Sequence, residues 1–206
     1  MIPRYQKILF VILLIASLAM GVVLWQLRQR AHRRLLAGQA SAPTQAPEVA
    51  PAEQATLVAA NDAENALIPQ IRSLPLPADP GARARALLGR LLDLYAAPDA
   101  VHPVGGGATS VDQVFLLPAG KSSPDPNAQV AVVNLTGTFA ASHPSGIETE
   151  TLTVLSICGT LRANLPNVTQ VRFLVDGQPR PTLAGHADLT RTYLTAEAVP
   201  TEGNKP

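Results

Sequence analysis

The sequence predicts an α+β fold, an α/β two-layer sandwich with two helices packed on one face of a small mixed sheet, preceded by a transmembrane helix. Two segments repeat apolar residues at helical spacing, four or five others have the pattern of strands, and a long uncharged run lies near the N-terminus. Helical and strand patterns are interspersed between residues 55 and 193, which favours two layers within one unit.

The composition restricts the classes of function. Only 15% of the 206 residues are charged, and a net charge of +1 gives no general attraction for nucleic acid, which we exclude as a partner. Cys158 is the single cysteine, so the chain can form no internal disulfide and no multi-cysteine zinc site.

Residues 8–27 predict the transmembrane helix. They follow a short tail of residues 1–7, contain no charged side chain and are flanked by basic residues. The segment is long enough to cross roughly 30 Å of hydrocarbon at about 1.5 Å per residue, and Tyr5 and Trp25 stand where interfacial aromatic residues are expected. Because the apolar run is longer than the core of a signal peptide, we predict an uncleaved anchor in the inner-membrane bilayer.

Residues 28–54 predict a basic flank followed by a linker rich in Ala and Pro, which has too few apolar side chains to fold alone. Such an extended spacer suits a domain held outside the cytoplasm. Two basic residues before the apolar run and four after it favour the opposite orientation by the positive-inside rule. Residues 194–206 predict a disordered tail.

Two helices are predicted, at residues 80–96 and 146–164. Asp79 is a good N-cap for the first, and Pro80 suits its first helical position. The pattern predicts strands in five places, at residues 55–60, 66–76, 111–120, 129–139 and 167–177.

The second helix has the spacing of a capping box at its start. Ser145 and Glu148 are three residues apart, as the box requires. Its predicted buried stripe consists of Ile147, Val154, Cys158, Leu161 and Leu165.

Three segments follow one another in the second half of the chain: VAVVNLTGTF, ETLTVLSICGTLRANLPNV and VRFLVDGQPRPTLAGHADLTRTY. On these segments and their order, residues 55–193 resemble the GerMN domain of bacterial cell-envelope and germination proteins. The family often carries two copies of the domain and this chain has one, and the resemblance implies a non-catalytic domain that binds a protein partner or assembles in the envelope. It further implies a location outside the cytoplasmic membrane and a fold related to the ring-building modules of spore assembly.

His186 and Asp188 are the candidate site residues, at alternate positions of an extended segment. They are fewer than the three ligands of a catalytic zinc site, and His102 and His143 each precede a proline in a loop, with nothing in the sequence to bring them nearby. No Gly-x-Ser-x-Gly nucleophile turn is present. We therefore predict no catalytic, cofactor-binding or metal-binding residue. The alternative is a metal-dependent or hydrolytic envelope enzyme centred on His186 and Asp188.

Overall fold

The structure is a computed structural model that describes Met20 and residues 52–120 and 125–198. Apart from Met20, the predicted tail and transmembrane helix lie outside the described residues, as do most of the linker and residues 199–206. Among the residues that are described, no helix is long and apolar enough to span a membrane.

Six strands and three helices follow one another along the described chain. In order they are β1 (Ala52–Asn61), β2 (Ala66–Pro75), α1 (Pro80–Tyr95), β3 (Val111–Pro118), β4 (Gln129–Leu135), α2 (Gly137–Ser142), α3 (Ile147–Asn164), β5 (Val168–Val175) and β6 (Tyr193–Leu194). Short 3-10 turns at Gly107–Ser110 and Thr195–Glu197 precede β3 and follow β6. Ordered structure therefore continues past residue 193.

The strands form two sheets. β1 and β2 make an antiparallel hairpin of their own, and the other four strands form one sheet in the order β3-β4-β5-β6. Only β4 and β5 are parallel, and α2 and α3 form the crossover between them. The predicted α+β class with a mixed sheet is confirmed. The first two predicted strands do not belong to that sheet.

The hairpin is attached to the helices through the free edge of β1. Strand edges expose unpaired N–H and C=O groups, and here side chains of α1 and α3 bond to them. The donors and acceptors are Thr56 N to Asn164 Oδ1 (3.0 Å), Asn164 Nδ2 to Thr56 O (2.7 Å), Val58 N to Thr160 Oγ1 (2.9 Å) and Ala60 N to Tyr95 OH (2.8 Å).

Gly159 allows α3 to lie this close to β1. A Cβ atom at Gly159 would stand 3.0 Å from Val58 Cγ1, which is tighter than nine in ten real Cβ contacts. A side chain at this position would require Val58 to shift by a few tenths of an ångström.

The core lies between the helices and one face of the four-stranded sheet. Both α1 and α3 contact the sheet and each other, and α3 also contacts β1. The sheet supplies alternate, buried side chains to this core, including Val133, Leu135, Val171 and Phe173. Its opposite face leaves Phe115 and Leu117 half exposed.

The predicted strand 129–139 is too long. β4 ends at Leu135, and α2 begins two residues later. Thr136 caps α2 by accepting a hydrogen bond from Phe139 N, and Asp176 accepts one from Gly137 N at 2.7 Å. These partners fix a helical turn where the local sequence has the pattern of a strand.

The predicted Asp79 cap of α1 is confirmed, because Asp79 Oδ1 accepts a hydrogen bond from Ala82 N. The N-terminus of α3 differs from the prediction. The N-cap of α3 is Gly146, whose N–H donates to Glu150 Oε1 at 3.2 Å. The capping box of Ser145 and Glu148 does not form, because the buried carboxylate of Glu150 takes its place. Ile147, predicted to be buried, is 69% exposed.

Replacing Thr160 by Val tests how the hairpin is attached. The valine has nearly the same shape but leaves the buried Val58 N–H without an acceptor, which should lower the free energy of unfolding by about 1–3 kcal/mol. Hydrogen exchange at the Val58 amide should accelerate with it. Thr151→Val on the exposed side of the same helix is the matched control and should change neither. Equal effects of the two variants would contradict the edge attachment.

Candidate functional site

Glu150 on α3 is a fully buried carboxylate that holds the segment before β6. Its Oε2 atom accepts hydrogen bonds from the backbone N–H groups of Ala184, His186 and Ala187, each at 2.9 Å. Its Oε1 atom accepts from Gly146 N and lies 3.0 Å from His186 Nδ1. One side chain therefore joins the start of its own helix to a distant loop.

The charge state of Glu150 follows from these donors. Burial raises the pKa of the carboxyl, but the N–H groups of Ala184, Ala187 and His186 outweigh burial and lower the pKa from 4.5 to about 2. Glu150 is therefore ionised at neutral pH, and the loop donors balance its charge.

His186 and Asp188 do not form a common site. The His186 side chain is 42% exposed, and its Nδ1 atom contacts Glu150 and, at 3.3 Å, Ser145 Oγ. Asp188 Oδ1 accepts from the side chain and the backbone N–H of Thr190, at 2.6 and 2.8 Å, and these bonds lower the pKa of its carboxyl. The two side chains thus have different partners, His186 at the N-terminal end of α3 and Asp188 within its own loop.

His102 and His143, which the sequence left as unrelated loop residues, come together on α3. His102 Nε2 and His143 Nε2 lie 2.7 and 2.8 Å from the same atom, Thr153 Oγ1. His102 Nδ1 lies 2.5 Å from Asp62 Oδ1, and His143 Nδ1 lies 2.7 Å from Pro144 O. The sequence analysis did not predict this meeting, and neither histidine forms a hydrogen bond with His186.

The order Asp62, His102, Thr153 matches the order of groups in a catalytic triad, a carboxylate, an imidazole and a hydroxyl. A nucleophile must reach a substrate, however, and Thr153 is fully buried. Its hydroxyl is also in contact with His143 and with Thr149 O. The arrangement is therefore suited to holding the fold together.

One sequence signal could have indicated both buried polar clusters, the contacts around Glu150 and those around Thr153. Four polar residues of α3 recur with spacings of three, three and four, all are fully buried, and Asn164 follows one turn later. We call this set the polar stripe: Glu150, Thr153, Ser156, Thr160 and Asn164. Polar residues at core positions of a helix indicate bonding partners in other segments, since burial without them costs free energy.

The part of the chain that the structure describes gives little support for a metal site, a reactive thiol or a pocket at these clusters. Within residues 52–120 and 125–198 there is no group of three or more His, Cys, Asp or Glu placed to hold a metal ion. Cys158 is buried, and burial raises the pKa of its thiol to about 12. A surface groove of about 450 Å³ beside α1, lined by Arg85, Arg90 and Asp93 among others, includes no residue of either buried cluster.

These features define a small α+β module whose buried polar groups hold its own loops in place. Residues 50–181 match the Germane family, described as sporulation and spore germination, and the chain belongs to this family. The resemblance to GerMN domains noted in the sequence is thereby confirmed.

Solved structures include two similar chains. One contains the tandem GerMN domains of the sporulation protein GerM from Bacillus subtilis, with 14% identity, a TM-score of 0.44 and 75% of this chain covered. The present chain spans about half of it, 51%. The other is a Clostridium perfringens protein described as a lipoprotein, with 21% identity, a TM-score of 0.34, and 71% of this chain and 87% of that chain covered. The comparison with curated protein sequences found no match.

Glu150→Gln should make the free energy of unfolding less sensitive to a fall in pH. The pKa of Glu150 is lower in the folded protein, so its contribution is complete above about 4.5 and is lost as the pH falls towards about 2. The pKa difference corresponds to about 3 kcal/mol over that window. Unfolding free energies measured across it should fall more steeply for the unmodified chain than for Glu150→Gln. Glu148→Gln, exposed on the same helix, should behave as the unmodified chain does.

His186→Ala should have a much smaller effect than Glu150→Ala. The carboxylate of Glu150 uses the backbone N–H at residue 186, which the alanine keeps, and the lost imidazole contact is partly exposed. We expect a loss of about 1 kcal/mol or less for His186→Ala, and about 3 kcal/mol or more for Glu150→Ala, which leaves four backbone N–H groups without an acceptor. Thermal unfolding of the two variants measures the difference, and comparable losses would contradict this account.

Proposed function

We propose that this chain is a non-catalytic interaction module of the cell envelope that binds a protein partner through the open face of its four-stranded sheet. The observation that carries the proposal is the contrast between the two sheet faces. One face is buried under α1 and α3, and the other exposes large apolar side chains to solvent.

The register of the strands defines this outer sheet face. Phe115 pairs with Val132 and Leu117 with Val130 across β3 and β4, and these residues alternate with the buried ones. The parallel and antiparallel pairings then extend the face across β5 and β6. Its members are Phe115, Leu117, Val130, Val132, Gln170, Arg172, Leu174 and Leu194.

The exposure of this face exceeds what single scattered apolar residues would produce. Phe115 and Leu117 are each 50% exposed and are neighbours on one strand face, and Leu194 is 49% exposed across the sheet. Contiguous apolar surface with a polar border is typical of protein-binding sites. It supports a partner that presents apolar side chains of its own.

Arg172 specifies a charge on that partner. It lies in the same row as Phe115 and Val132, it is exposed, and it makes no salt bridge with any residue in the described ranges. Close charge pairs at an interface provide specificity. The proposed partner therefore carries a carboxylate opposite Arg172, beside the apolar contact.

The proposed location is the outer side of the cytoplasmic membrane. Residues 8–27 anchor the chain in the bilayer in this proposal, and the Ala- and Pro-rich linker separates the domain from it. The excess of basic residues after the anchor opposes this orientation. A reporter fused after Pro206 tests it, since activity confined to the cytoplasm would overturn the proposed location.

The alternative of a metal-dependent or hydrolytic enzyme centred on His186 and Asp188 gains no support from the geometry. His186 is bonded to Glu150 and Asp188 to Thr190, so neither pair leaves a common position for a metal ion or a reacting atom.

Photo-crosslinking from single positions of the full chain, in its own cells, tests the binding face. A crosslinker at Leu117 should form a defined product with a partner, whereas one at Ile71, exposed on the hairpin, should not. Arg172→Glu should reduce the Leu117 product tenfold or more, corresponding to about 1.4 kcal/mol, by placing like charges opposite each other. Arg72→Glu on β2 is the charge-matched control and should leave the yield unchanged. Equal yields at the two positions, or no effect of Arg172→Glu, would overturn the proposal.

A further inference from the structure

Three connecting segments meet at one atom of α3. Asp62 lies in the turn after β1, His102 in the loop after α1 and His143 in the loop after α2, and all are joined through Thr153 Oγ1. We call these four residues the histidine clasp. We infer that the histidine clasp closes only when Asp62 and His102 share one additional proton, so that the docking of three loops on α3 is linked to pH.

The count of donors and acceptors requires the additional proton. His102 Nδ1 faces a carboxylate and His143 Nδ1 faces the Pro144 carbonyl, so each Nδ1 carries a hydrogen if the adjacent oxygen only accepts. In neutral rings both Nε2 atoms would then be acceptors. Thr153 has a single hydroxyl hydrogen, so it could serve only one of the two, and the other would be buried beside an oxygen lone pair.

One further proton resolves the conflict. With a hydrogen on His102 Nε2, this atom donates to Thr153 Oγ1, and the hydroxyl is free to donate to His143 Nε2. His102 Nδ1 then donates to Asp62, and the bonds from His102 Nε2 to Thr153 and from Thr153 to His143 all have a donor and an acceptor. The carbonyl of Thr149, also near the hydroxyl, has its regular helical donor four residues on.

The surroundings place this proton at Asp62 and His102 rather than at His143. Asp62 supplies a carboxylate 2.5 Å from His102 Nδ1, and it is partly exposed to water. His143 contacts only a neutral carbonyl and the hydroxyl. Burial lowers the pKa of His143, and the nearby His102 lowers it further, against the raising effects of the Pro144 carbonyl, Glu150 and Asp62. His143 therefore remains neutral.

None of the other groups packed around the clasp supplies the missing hydrogen-bond donor. The Tyr95 ring meets His102 edge to face at 4.6 Å between centroids, and the tyrosine hydroxyl accepts from Ala60 N. Burial raises the pKa of Tyr95 to about 12, so it stays neutral. Phe139 meets His143 in the same manner at 5.5 Å. Glu150, one turn before Thr153, is bonded to the 184–187 loop.

Stability should therefore decline on both sides of neutral pH for different reasons. The folded clasp holds a proton that the unfolded chain releases, so its contribution is present at lower pH and is lost as the pH rises. His143 acts in the opposite sense, because its pKa is lowered on folding, so its contribution is lost as the pH falls below the ordinary value of 6.5. At acid pH a second imidazolium would face the same hydroxyl.

Nitrogen NMR of the full chain labelled at its four histidines tests the inference without a substitution in the clasp itself. At about pH 7 His102 should show two protonated ring nitrogens, or a Nδ1 proton shared with Asp62 together with a protonated Nε2. His143 should show a protonated Nδ1 and an unprotonated Nε2. His186→Gln assigns the exposed histidine by its loss. A single unprotonated Nε2 on His102 would overturn the inference.

Thermal unfolding of Thr153→Val provides the second measurement. Without the hydroxyl, the shared proton is no longer needed, so the decline in melting temperature on the alkaline side should disappear, whatever the overall loss of stability. Thr151→Val on the same helix should keep the alkaline decline of the unmodified chain. An alkaline decline of equal size in Thr153→Val would overturn the clasp.

Discussion

The polar stripe of α3 is the constraint on which the rest of the structure depends. Each of its five residues makes a hydrogen bond, and four of them bond to a different part of the chain: Glu150 to the 184–187 loop, Thr153 to both loop histidines, and Thr160 and Asn164 to β1. Ser156 bonds within the helix, to Thr153 O. Apolar packing alone tolerates small shifts, whereas these hydrogen bonds fix which backbone group or side chain of the hairpin and loops contacts each residue of α3. The helix thus determines where the hairpin and three loops lie.

The stripe also explains why polar groups of catalytic type occur here in a module proposed to have no catalysis. A carboxylate, two histidines and a hydroxyl are costly to bury, and they are tolerated because each finds partners within the fold. The groups that remain available to a partner are of another kind. They are the apolar side chains of the outer sheet face, which are exposed to solvent, and Arg172, which has no salt bridge within the described part of the chain.

Local signals allowed much of the fold to be predicted. Asp79 and Pro80 mark the start of α1, and apolar spacing identifies α3 and strands β3 to β5. What could not be predicted depends on distant partners. The helical turn after β4 requires Asp176, and the start of α3 is determined by Glu150, whose role depends on a loop more than thirty residues away. The meeting of His102 and His143 has no local signal. Only the buried spacing of Thr153 within the stripe indicates that α3 receives polar partners.

The edge attachment of the hairpin has a mechanical consequence. β1 is the first strand of the domain along the chain, so tension applied from the N-terminal side acts first on this strand. The bonds of Thr56, Val58 and Ala60 to the helices lie one after another along it. A pull directed away from α3 would load these bonds in turn, beginning with those to Asn164, whereas a pull along the strand would load them together.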